Sequence, residues 1–132
     1  MFELFTGIEH AAIATRDTTA LSAFYRDFVG FQIKHTMDPG GGKQKAYFIC
    51  LGQNFIEIMP SARETPPREN MDTGLSHLAI LVSDFDQAVA HVNTSGAKQD
   101  GPERAGPGGA RIQFYFDPEG NLFHLLWRPL PL

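Results

Sequence analysis

One block of this sequence occurs twice, and no other feature limits the possible folds as much. Residues 10–17 read His-Ala-Ala-Ile-Ala-Thr-Arg-Asp, and residues 77–84 read His-Leu-Ala-Ile-Leu-Val-Ser-Asp. The same offset of 67 residues carries Leu21 and Tyr25 onto Ala88 and Val92, Asn54 onto Asn121, and Glu57 onto His124. Stacked repeat arrays need three or more copies, so two copies specify a pseudo-symmetric pair of modules.

Each copy predicts the element series β-α-β-β-β. In the first, residues 7–15 alternate as a strand and Asp17 is placed to cap a helix. Leu21, Phe24, Tyr25 and Phe28 fall on one helical face, which Gly30 ends. Strands follow at 31–37, 44–51 and 54–59, with a glycine-rich loop at 38–43. Residues 60–74 lack periodicity, contain three prolines and read as a linker. In the second copy a strand at 75–82 leads to a helix begun by Asp84 and Gln87 and ended by Gly96. A weak strand at 97–99, a loop at 101–109 and strands at 111–116 and 122–127 complete it. The expected fold is α+β: a single domain over 1–132, with module 1 at about 1–60, a linker at about 60–74 and module 2 at about 75–128. The two βαβββ modules are expected to form a curved, cleft-enclosing sheet with helices outside. Apolar concave faces and open strand edges favour a C2 homodimer.

The repeat turns four ionisable side chains into two equivalent pairs, His10 with Glu57 and His77 with His124. Each interrupts an otherwise apolar strand. Strand parity is consistent with all four lying on the face away from the helices. Three imidazoles and one carboxylate suit Zn, Ni, Co, Mn or Fe(II). The alternative is that each is a hydrogen-bonded core residue, since buried polar groups need partners.

Other features carry less. Cys50 sits in an apolar run and reads as a buried, inert thiol. Pro39-Gly-Gly-Gly-Lys43 lacks the spacing of a phosphate cradle and reads as a mobile loop. Asp117-Pro-Glu-Gly-Asn121 reads as a tight turn rather than a calcium loop. His35 and His91 read as structural or solvated. Arg111 and Tyr115, near the last strands, could reach a substrate, but parity alone does not place them.

Composition excludes some partners. Formal net charge is −4 with no basic run, which argues against nucleic acid. No apolar stretch is long enough to span a bilayer, so no membrane partner is expected. The first residues, Met-Phe-Glu-Leu-Phe-Thr, do not read as a signal peptide. A single cysteine cannot form an intrachain disulfide and fits a reducing, cytoplasmic compartment.

Four motifs together resemble the vicinal oxygen chelate superfamily, which includes glyoxalase I, bleomycin-resistance proteins, fosfomycin-resistance thiol transferases, methylmalonyl-CoA epimerase and extradiol dioxygenases. They are Ile8-Glu9-His10, residues 23–31 (Ala-Phe-Tyr-Arg-Asp-Phe-Val-Gly-Phe), residues 74–79 (Gly-Leu-Ser-His-Leu-Ala) and residues 117–122 (Asp-Pro-Glu-Gly-Asn-Leu). The resemblance covers nearly the whole chain and, for glyoxalase-like members, implies metal ligands at His10, Glu57, His77 and His124. The last position usually holds Glu, so His124 is a departure. The implied activity is that of a metal-dependent lyase or isomerase acting on a small oxygenated metabolite or thiol conjugate through a metal-stabilised enediolate. Glu57 and His124 are the candidate proton-transfer groups. The alternatives are an Fe(II) ring-cleaving dioxygenase, disfavoured by His124 on the last strand, and a non-enzymatic drug- or metabolite-binding resistance protein.

Overall fold

The computed structural model describes residues 4–132. Residues 1–3, where the N-terminal segment and module 1 begin, lie outside the described residues. The chain divides into two compact units at Glu64 and Thr65.

The first unit runs β1 (His10–Thr15), α1 (Thr18–Phe24), β2 (Gln32–Met37), β3 (Ala46–Leu51) and β4 (Asn54–Pro60). The Asp17 carboxylate starts α1 by accepting from the Ala20 N–H at 2.9 Å. After Phe24 the helix widens into a π-turn, Tyr25–Val29, closed by Gly30 at φ 90°. That left-handed conformation suits glycine, which has no Cβ to clash. The widening leaves Phe28 half-buried, while Leu21 and Tyr25 are fully buried. The sheet order is β1-β4-β3-β2, with β1 parallel to β4 and the other pairs antiparallel. α1 packs on β1, β3 and β4, burying Ile49, Ile56 and Ile58.

The second unit repeats this plan. β5 (Leu78–Leu81) is followed by α2 (Phe85–Val92), β6 (Lys98–Gln99), β7 (Arg104–Gly106), β8 (Ala110–Phe116) and β9 (Leu122–Trp127). Asp84 caps α2 through the Gln87 N–H at 3.0 Å. The order β5-β9-β8-β6 matches the first sheet strand for strand, again with the first and last strands of the unit parallel. α2 packs on β9. Tyr115 stacks on Phe123 at 5.5 Å between ring centroids, and its hydroxyl donates to Asn93 Oδ1 at 2.8 Å.

The structure departs from the sequence expectation in three places. The first departure is the sheet architecture. The chain builds two separate sheets, neither curled nor closed, in place of a curved sheet enclosing a cleft. The reason is topological: β1 joins only β4 and β5 joins only β9, so the strands that would close each sheet remain at its edge. The second is β7, which arises where a loop was expected. Together β6 and β7 occupy the place of β2, both pairing with β8. Pro102 has no N–H to give a ladder, and Gly101 turns at φ 74°, so the strand breaks in two there. The third is a pair of later strand starts, with β1 beginning at His10 and β5 at Leu78.

Candidate functional site

Parallel pairing sets the site residues in place. In the first unit Ala12 lies opposite Glu57; in the second, Ala79 lies opposite His124. These registers are equivalent under the 67-residue offset. In both units a histidine two positions earlier therefore sits diagonally across from the ionisable residue of the neighbouring strand. Alternate burial agrees with the parity argument: Ala12 and Ala14 are exposed while Thr15 is buried, and Ala79 and Leu81 are exposed while Ile80 is buried.

In the first unit, His10 Nε2 lies 3.9 Å from Glu57 Oε1. That exceeds hydrogen-bond length, so the two groups face each other without bonding. Both are partly shielded, with side-chain exposures of 30% and 22%. Phe48, opposite Glu57 on β3, meets the His10 ring edge-on with centroids 5.1 Å apart. His10 Nδ1 is 3.1 Å from Glu9 Oε1.

In the second unit, the His77 and His124 rings have centroids 4.4 Å apart. Phe114, opposite His124 on β8, meets His77 at 5.1 Å and His124 at 4.8 Å. The Arg104 guanidinium lies over the Phe114 ring, 4.9 Å from its centroid. Ser76 Oγ is 2.8 Å from His77 Nδ1. His124 is buried, and neither of its ring nitrogens has a hydrogen-bond partner. Burial, followed by the nearby His77 and Arg128, pushes its pKa down to about 4. Burial also lowers the His77 pKa. Both rings are therefore held neutral, the form that donates a lone pair to a metal.

The four expected ligands are thus gathered as two pairs, one in each unit. Among the described residues, no group of three or more His, Cys, Asp or Glu is drawn together to hold a metal. The chemistry of the donors fits a divalent ion. A neutral imidazole has one donor and one acceptor to satisfy. Leaving such groups buried and unmet costs about 1–3 kcal/mol each, which a metal bond to one nitrogen would offset in part.

The remaining candidates are engaged elsewhere. Arg111 forks onto Glu103 at 2.9 Å, reaches Asp86 at 3.0 Å and lies over the Phe85 ring. Tyr115 is held by Asn93. Asp117 Oδ1 accepts from the Glu119 and Asn121 N–H groups and from Asn121 Nδ2, which makes 117–121 a closed turn. Cys50 is buried. His35 lies 6.4 Å from the Phe48 ring, and the 39–43 loop is exposed. Phe48, Phe114, Glu9 and Ser76 were not singled out by sequence reasoning. Cross-strand register identifies the first two and adjacency to the histidines the others.

Comparison with known proteins agrees with this architecture. The profile of the Glyoxalase/Bleomycin resistance protein/Dioxygenase superfamily matches residues 7–125. The uncharacterized protein YwkD of Bacillus subtilis is 34% identical over 122 residues, covering 88% of this chain and 92% of its own. A human mitochondrial methylmalonyl-CoA epimerase is 28% identical over 87 residues, covering 62% of this chain but only 49% of the epimerase. The crystal structure of a glyoxalase family protein from Enterococcus faecalis superposes with a TM-score of 0.74 at 28% identity, over 92% of this chain and 98% of that one. No helix among the described residues is long and apolar enough to cross a membrane.

Proposed function

Because this chain belongs to the glyoxalase/bleomycin resistance protein/dioxygenase superfamily, we propose that it is a metal-dependent isomerase or lyase of glyoxalase type. Its substrate is a small oxygenated metabolite or a thiol conjugate. The similarity to an epimerase named for a coenzyme A thioester supports the thiol-conjugate class. His10, Glu57, His77 and His124 are the ligand set for the ion, and the protein is a cytoplasmic homodimer.

The observation that carries this reading is His124, a buried neutral imidazole with both nitrogens unsatisfied, beside a second neutral imidazole. When bound, the divalent ion would supply Lewis acidity toward neighbouring oxygens of the substrate. The chain's own residues divide the remaining work. His77 and His124 are the neutral donors, kept unprotonated by burial. Phe48 and Phe114 meet the histidine rings edge-on. Glu57 is the sole carboxylate of the set and faces His10 across a gap without bonding to it, so it is free to take and return a proton at carbon.

The test is elemental analysis of metal-repleted protein, followed by turnover of hemithioacetals, acyl thioesters and catechols. Bound metal with isomerisation of a thiol conjugate supports the proposal. Ring cleavage of a catechol would point to the dioxygenase branch. Tight binding of a small molecule by a protein that takes up no metal would indicate a resistance-type binder.

A further inference from the structure

Each module's leading histidine has its Nδ1 held by the residue just before it in the chain. Glu9 Oε1 lies 3.1 Å from His10 Nδ1, and Ser76 Oγ lies 2.8 Å from His77 Nδ1. Glu9 and Ser76 are themselves related by the 67-residue offset. A carboxylate can only accept, so a neutral His10 carries its proton on Nδ1 and leaves Nε2 bare. That is the reverse of the tautomer a free histidine side chain favours. The bare Nε2 is the atom that faces Glu57. At the equivalent place the Ser76 hydroxyl can accept in the same way and leave His77 Nε2 bare.

We propose that Glu9 and Ser76 are positioning residues that fix the tautomer and ring orientation of His10 and His77, so that each presents a bare Nε2 to a divalent cation. This rests on the metal reading above. Outer partners of this kind orient a ligating imidazole and raise its donor strength. The two modules differ in chemistry: Glu9 brings a charge and Ser76 does not. Glu9 is 81% exposed, so solvent screens that charge and orientation is its main contribution.

The test uses 15N-labelled, metal-free full-length chain at about pH 8.5, two units above the ordinary imidazole pKa. Two-bond 1H–15N spectra read the tautomer of each ring, and a zinc titration on the same sample reads affinity. Both histidines are expected as Nδ1–H. Glu9→Ala should move His10 toward Nε2–H and weaken zinc binding about 10–100-fold. Glu9→Gln, whose amide oxygen still accepts, should restore the tautomer and most of the affinity. Ser76→Ala and Ser76→Thr should behave the same way at His77. If the wild-type rings are Nε2–H, or if the alanine variants keep both tautomer and affinity in a protein that binds zinc, this inference fails alone. A wild type that binds no zinc while its rings are Nδ1–H overturns the metal reading and this inference with it.

Discussion

The ring of His77, one residue before β5, and that of His124 on β9 have centroids 4.4 Å apart and planes tilted by 44°, and neither ring nitrogen of the buried His124 has a hydrogen-bond partner. Two neutral imidazoles packed against Phe114 make a poor structural device without a further ligand, because the polar atoms of His124 are unmet. With one carboxylate and three imidazoles, a divalent ion would keep a net charge of +1 within its ligand set. The expected consequence is a preference for Zn, Ni or Co over the harder Mn and Mg. Competition titrations of wild type and His124→Glu measure it. The variant should shift the Mn-to-Zn affinity ratio toward Mn by about tenfold or more; an unchanged ratio would place His124 outside the ligand set.

The depressed pKa of His124 gives the metal-free protein a pH signature. Its folded pKa of about 4 lies below the ordinary value of 6.5. Between these values the unfolded chain binds the proton and the folded chain does not, so stability falls as pH drops from about 6.5 to about 4. The loss is about 3 kcal/mol at most, and it levels off below about pH 4. Urea unfolding of wild type and His124→Phe across that range tests it, since the variant should lack this part of the slope.

Glu57→Gln should keep most of the bound metal and lower kcat by about 100-fold or more, in line with removal of a general base. His124→Ala should do the reverse and lose metal occupancy first. Metal analysis alongside steady-state kinetics separates the two roles, and the opposite pattern would exchange them.

The β8–β9 turn that delivers His124 depends on Asp117, whose Oδ1 accepts three hydrogen bonds from residues 119–121. Asp117→Ala should cost about 1–3 kcal/mol, because part-buried N–H groups lose a charged acceptor. Chemical denaturation measures this directly. A loss below about 0.5 kcal/mol would mean that water replaces the carboxylate.

Most of the module plan was legible because the two periods, helical and strand, are clean in both copies and are separated by Asp caps and glycine turns. The 67-residue offset pairs His10 with Glu57 and His77 with His124; their diagonal placement depends on the strand register. The sheets' failure to curl into one cleft was not legible, because strand pairing at an edge is decided by tertiary context rather than by any residue of β1 or β5. β6 is legible as a weak strand, but β7 is not, since three residues among glycines and prolines have too little alternation to stand out from a loop. The roles of Phe48 and Phe114 escaped for another reason: cross-strand neighbours appear only once the register is known. Glu9 and Ser76 belong to the motifs at 8–10 and 74–79, but their contact to Nδ1 is a matter of side-chain rotamer.

The most direct test of the central claim is the metal stoichiometry of repleted wild-type protein measured beside His10→Ala/His77→Ala. One divalent ion per site in wild type and none retained by the double variant is the predicted result. No metal in wild type, or equal metal in both proteins, would contradict it.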